Sequence, residues 1–231
     1  MAGPTSVPVD AATPLRVTSR SGSVVITGED RTDVLVERGA DRVETGADGV
    51  HVKGRSGSLV ARCPAGTDVF VGAASGSVSI RGTLGDTRVT TGSGSITIDR
   101  ARRVDARTGS GSIVVDECEG ECRCQSGSGR LRVGRAGSVE LVAASGSVEV
   151  GAVGPARVRA GSGSVTIGLV EPATVDVEAH SGTVAVSVPH GLRPATALRA
   201  ASGSVRCDCQ PGHDGAIRVT TGSGQISVTE R

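Results

Sequence analysis

The sequence contains no tryptophan and no tyrosine, one phenylalanine, Phe70, and one methionine among 231 residues. Aromatic rings are the usual large anchors of a globular interior, so this core must be built from Val, Ile, Leu and Ala. An excess of charge is missing as well. Lys and Arg number 25 against 24 Asp and Glu, a net of +1. That balance gives no global attraction to nucleic acid or to an anionic membrane, and either partner would need a local patch. There is no run of about eighteen apolar residues, as a membrane-spanning helix requires. Met1 to Thr13 also lacks the basic segment and apolar core of a secretory signal. The expectation is a cytoplasmic protein without a membrane span, with cell-surface association open if upstream residues have been removed. Arg outnumbers Lys beside abundant Ala, Gly and Val, a composition that a GC-rich bacterial genome encodes.

What is present is a repeat. Gly92 to Ile98 reads Gly-Ser-Gly-Ser-Ile-Thr-Ile, and close copies recur along the chain. The first apolar residue after each Ser-Gly pair falls at Val24, Leu59, Val78, Ile96, Ile113, Leu131, Val148, Val165, Val184, Val205 and Ile226, with a degenerate copy at Val43. Steps of mostly 17–21 residues, sustained in this way, are the signature of a solenoid whose units bury their apolar sides only against neighbours. Nine and seven residues before each marker stand apolar pairs such as Leu15/Val17, Val34/Val36, Val104/Ala106 and Ile217/Val219. The marker and the residue two beyond it form a second pair, as in Ile96/Ile98 and Ile226/Val228. A period of two means a strand with one buried face, so each rung supplies four inward residues from two strands. Ser then Gly occupies the corner between them, where Gly suits a positive φ or close backbone approach and Ser a local hydrogen bond.

Copies of one strand lying side by side in the same direction make parallel sheets with right-handed crossovers. The predicted fold is all-β: a right-handed single-stranded parallel β-helix of about twelve rungs of 17–21 residues. It spans residues 15–231 behind an N-terminal arm, 1–14. At the usual strand spacing the rod would be roughly 53 Å long. The irregular rung should be the one at Val43. The longer steps before Val205 and Ile226 place outside turns near Pro189 to Pro194 and Pro211 to Gly215, where a local site would be most at home.

Eight residues before the marker, Arg88, Asp105, Arg123, Glu140, Arg157 and Asp176 alternate in sign on six consecutive rungs. Such a row sets opposite charges one strand spacing apart and neutralises the face, which argues against a nucleic-acid stripe. The Cys118, Cys122, Cys124 cluster and the Cys207, Cys209 pair have intervals that zinc thiolates use. Cys122 and Cys124 fill inward columns, however, and Cys207 shares the column of Val115 and Val133. All are expected as small buried thiols, with disulfides disfavoured in a reducing compartment. Asp99 and Asp116 occupy one outward column beside Glu117, Glu119 and Glu121. They are candidates for a polysaccharide-binding or polysaccharide-cleaving acidic site, weighed against a solvated cluster relieved by Arg81, Arg102 and Arg103. His51, His180, His190 and His213 are scattered and form no catalytic or metal spacing. The Ser-Gly-Ser copies lack the strand–loop–helix setting of a phosphate loop or nucleophile elbow. No catalytic residue, cofactor or metal ligand is expected. The candidate contact face is the row of small outward residues Ser77, Ser79, Ser95, Thr97, Ser112, Ser164 and Thr166. The final strand, with Ile226 and Val228, is expected at an open edge able to pair with another chain.

Ser93-Gly94-Ser95-Ile96 and Ser162-Gly163-Ser164-Val165 resemble the repeats of a bacterial β-strand-repeat family known as "putative adhesin", of unknown function, over roughly Leu15 to Val228. The resemblance implies a right-handed β-helix, no catalytic residues and a link to envelope proteins. Bactofilins, cytoplasmic β-helices that polymerise through their ends, are a second resemblance, to which the Ser-Gly corner is less well suited. Together these observations indicate a non-enzymatic structural or adhesin-like scaffold that binds protein or itself.

Overall fold

The structure, a computed structural model, describes residues 4–10 and 13–231. The described residues form strands and no helix. In chain order the strands are β1 (Thr5–Pro8), β2 (Leu15–Ser19), β3 (Val24–Glu29), β4 (Asp33–Arg38), β5 (Arg42–Gly46), β6 (Gly49–Gly54), β7 (Leu59–Pro64), β8 (Val69–Ser75) and β9 (Val78–Ser93). They continue as β10 (Ile96–Ser110), β11 (Ile113–Ser128), β12 (Leu131–Ser145), β13 (Val148–Val153), β14 (Ala156–Ser162), β15 (Val165–Leu169), β16 (Ala173–Val188), β17 (Ala195–Cys207) and β18 (Gly215–Glu230).

Through the middle of the chain each rung pairs in parallel with the next at the register of the repeat. Val78 stands opposite Ile96, Ile96 opposite Ile113, Ile113 opposite Leu131, and Leu131 opposite Val148. The apolar pairs form continuous buried columns, with Ile96, Ile98, Ile113 and Val115 all at 0% exposure. Two further inward columns were not anticipated. One lies on a third side of the rung, where Leu84, Ala101, Cys118, Ala136, Val153 and Leu169 stand in register and are buried. The other precedes the corner and holds small residues, among them Thr91, Thr108, Ser126, Ala143 and Ala160. A rung such as Val104 to Cys118 therefore contributes six inward side chains rather than four.

The corner works differently from the local serine bond expected. The hydroxyl that closes it comes from the buried small column. Thr108 Oγ1 donates to the carbonyl of Ser110 at 3.2 Å and to that of Gly94, one rung away, at 3.1 Å. Ser126 does the same toward Ser128 and Gly111, each at 3.1 Å. Such bonds satisfy a hydroxyl that would otherwise be costly to bury. The corner serines themselves reach the adjacent rung, as Ser145 Oγ does to the carbonyl of Gly127 at 3.4 Å. The glycine is required twice over at Gly94: its φ is +137°, and a Cβ there would lie 2.1 Å from the carbonyl oxygen of Gly76.

Rung order departs from chain order at both ends. The first rung, β2 and β3, is flanked by β6 and β7 on one side and by β8 and β9 on the other. At the far end β18 lies between β16 and β17. The corner glycines repeat this order independently, since a Cβ on Gly22 would strike Gly57, one on Gly224 would strike Gly182, and one on Gly203 would strike Gly224. The long steps thus have a mechanical cause. Residues between β16 and β17 must pass over the position that β18 fills, and those between β17 and β18 must return.

Several expectations are corrected here. Val43 heads no rung: β5 folds back on β6 as an antiparallel hairpin, and Val34 and Val36 sit in β4, which is antiparallel to both β1 and β7. Eleven copies of the repeat remain in the parallel ladder of the described residues. The expected arm lies partly outside the described residues, at 1–3 and 11–12; within it β1 pairs with β4 instead of leading directly into a rung. Ile226 and Val228 are 0% exposed and lie on no edge. The strand at that end of the stack is β17, which among the described residues pairs with β18 alone.

Candidate contact face and open end

The small-residue row forms as one sheet face. Ser79, Thr97 and Val114 are neighbours in register, and the carbonyls of Ser95 and Ser112 accept from Val78 and Ile96 one rung before. Ser77 and Ser95 are exposed, while Ser79, Thr97 and Ser112 are half-buried. The face is not continuous. Arg132 and Glu149 follow Val114 in the same column, and Arg130 donates to Ser147 Oγ at 3.3 Å. Beyond them Ser164 and Thr166 open a second patch, with Thr166 next to Ala185 and Ala185 next to Ser227. The sequence signal for the interruption was present at Arg130, Arg132 and Glu149.

The charged row forms on the other face. Arg88 reaches Asp105 at 3.2 Å, Arg123 reaches Glu140 at 3.0 Å, and Arg157 reaches Asp176 at 3.8 Å. The exchange of the last two rungs extends the alternation, because Asp176 next meets Arg218, at 3.9 Å, and not Ala197. At the other end Arg88 adjoins Phe70, whose ring lies beneath the Arg16 guanidinium at 4.4 Å. The one aromatic residue is therefore a stacking surface for an arginine and not part of the core.

Asp99 and Asp116 fall near one another in the ladder, and neighbouring groups occupy their surroundings. Asp99 Oδ2 accepts from the backbone N–H of Gly82 at 3.2 Å, and Glu117 pairs with Arg100 at 2.6 Å. Asp86 is held ionised below its ordinary range. Burial pushes its pKa up, but hydrogen bonds from Arg103 and Arg102 outweigh that. Among the described residues no group of three or more His, Cys, Asp or Glu is arranged to hold a metal. His51 bonds Asp48 at 2.9 Å and His190 pairs with Glu230 at 3.1 Å, far apart in the fold.

The cysteines divide into two environments. Cys63, Cys118, Cys122 and Cys124 are buried. The Cys118 thiol donates to the Glu121 carbonyl at 3.3 Å, and contact with Cys122, then burial, pushes its pKa far up. Burial likewise raises Cys63 to about 11, opposed in part by Thr67. Cys207 occupies the expected column but is exposed, because among the described residues no rung covers the far side of β17. Val205 beside it is 48% exposed for the same reason.

No helix among the described residues is long and apolar enough to cross a membrane. A "putative adhesin" from Bacteroides fragilis has a similar solved structure, with 13% identity, a TM-score of 0.51, and coverage of 99% of this chain and 96% of that one. A "putative cell adhesion protein" from Clostridium sporogenes aligns over 99% of each chain at 8% identity, with a TM-score of 0.28. Among curated proteins none matches. The Toastrack DUF4097 family model matches residues 6–231, and the chain belongs to that family.

Proposed function

We propose that this protein is a non-enzymatic, adhesin-like scaffold that binds a protein partner through its small-residue face. The finer architecture that goes with this reading is a single-stranded right-handed parallel β-helix, since parallel crossovers are almost always right-handed. One observation carries the reading: Ser77, Ser79, Ser95, Thr97 and Ser112 stack on adjacent rungs as small uncharged groups, while the charged row spends its side chains on one another. A face of short side chains loses little conformational entropy on contact and lets a partner approach the sheet closely. The Bacteroides fragilis neighbour's name, "putative adhesin", is consistent with such a contact role.

The test places a photo-crosslinking amino acid at Ser95, at Thr166 and, as control, at Glu178, in the protein expressed in its own cell. Crosslinks to the same protein from Ser95 or Thr166, and none from Glu178, support the reading. Equal yields from all three, or no crosslink from either small-residue patch, overturn it.

A further inference from the structure

We infer that Cys207 and Cys209 form a thiol–disulfide exchange site on the open end of the stack, cycling between a dithiol and an intramolecular disulfide. The substrate class is a low-molecular-weight disulfide such as oxidised glutathione.

Three features set this pair apart from the other four cysteines. The two sulfurs lie 3.0 Å apart. Strand β17 ends at Cys207 and the chain bends at Cys209. Two residues along an extended strand span about 6.6 Å, near the upper end of disulfide Cα separations, so a bend after Cys207 favours bridging. The second feature is access. Cys207 is exposed and Cys209 half-buried, whereas Cys122 and Cys124, with the same spacing and sulfurs 3.6 Å apart, are closed off inside the stack. The third is a fixed frame. The Asp208 N–H donates to the Val228 carbonyl at 2.9 Å, and the Asp208 carboxylate takes Arg206 Nε at 2.8 and 3.0 Å. Backbone and Arg206 together hold the intervening residue, so the two thiols stay side by side.

The exchange balances without any other reactant. Cys207 loses its proton and its sulfur attacks one sulfur of the small disulfide. A Cys207 mixed disulfide forms, the substrate S–S bond breaks, and the departing thiolate takes up a proton. Cys209 then attacks the Cys207 sulfur, releasing the second small thiol, which takes the Cys209 proton. Two protein thiols are oxidised and one small disulfide is reduced to two thiols. Cys207 is assigned the first attack because it is the more exposed, while burial and the neighbouring thiol raise Cys209 to about 11 and leave it less thiolate for that step. Cys209 resolves because its sulfur lies 3.0 Å from that of Cys207.

The experiment incubates the full chain with oxidised glutathione, quenches with acid, labels remaining thiols with N-ethylmaleimide in denaturant, and reads intact mass and peptides. The expected product is a monomer with four labels, a Cys207–Cys209 bridge, and return to six labels after dithiothreitol. Cys209→Ser should accumulate glutathione on Cys207, and Cys207→Ser should block the bridge without reducing urea resistance. Six labels in the treated wild type, stable glutathione on both residues, or a bridge joining two copies would each overturn the assignment.

Discussion

Val184 stands directly opposite Ile226, although Val205 is the next marker in the chain. This single pairing decides which rung is covered and which is open, and it yields a clean comparison between identical substitutions. Val228 is 0% exposed and packed between two rungs, while Val205 is 48% exposed on the end rung. Val228→Ala should cost about 2–3 kcal/mol, from lost burial and an unfilled cavity, and Val205→Ala only about 0.5 kcal/mol. Urea unfolding of the two variants checks this. A rung order following the chain would reverse the ranking.

The corner glycines permit a second paired test. Gly94 has φ +137° and its missing Cβ would fall 2.1 Å from the Gly76 carbonyl oxygen, while Gly57 has φ +90° with nothing within 4 Å. Gly57→Ala should cost only the strain of the conformation, about 1–2 kcal/mol. Gly94→Ala adds a collision between two backbones that neither rotamer change nor solvent can relieve, and should exceed about 3 kcal/mol. Thermal unfolding of both proteins separates conformational strain from rung contact.

Strand register was legible because a period of two leaves no freedom once one face is apolar. Ile96 and Ile113 lie opposite each other as the repeat requires, and Arg88 meets Asp105. Rung order was not legible. Every rung presents nearly the same columns of Val and Ile, so β18 fits against β16 as well as β17 would, and local pattern cannot choose. The trace that did exist was in the longer steps before Val205 and Ile226, and in Arg218, whose charge suits Asp176 where Ala197 offers none. The inward positions of Leu84 and Ala136 were hidden for another reason: one residue per rung shows no alternation. Val43 misled because an antiparallel hairpin shares the strand's period, and only its Ala40-Asp41 corner differed from the Ser-Gly rule.

Alkaline pH should weaken the fold through its buried thiols. Burial raises Cys63 from 9.0 to about 11, so between those values the unfolded chain has shed the thiol proton and the folded chain keeps it. Stability is therefore complete below the unfolded value and declines as pH rises toward the folded one, at about 1.4 kcal/mol per pH unit for this thiol. Cys118 is shifted in the same direction and adds to the slope. Urea midpoints measured across this window should fall, and Cys63→Ala should make the decline shallower. An unchanged slope in the variant would remove Cys63 from the account.

The two ends of the stack predict a ceiling on self-association. Around β6 and β7 the last parallel rung is met by antiparallel neighbours, β5 on one strand and β4 with β1 on the other. Arg31 adds ion pairs at 2.8 Å to both Glu29 and Asp33. Hydrogen bonds from Ser6 and then Arg31 lower the Asp33 pKa, so this closure holds above the ordinary carboxylate range and loosens only as pH falls through the lowered value. Among the described residues, β17 alone then presents an uncovered parallel edge. A filament growing head to tail needs a complementary parallel edge at each end, and this stack has one. Light scattering across a concentration series near neutral pH should give monomer, or at most a pair joined through β17. Val205→Lys, on the exposed rung, should abolish any pair while leaving the urea midpoint nearly unchanged. Mass that keeps growing with concentration would show that the β4–β5 end does not close the stack.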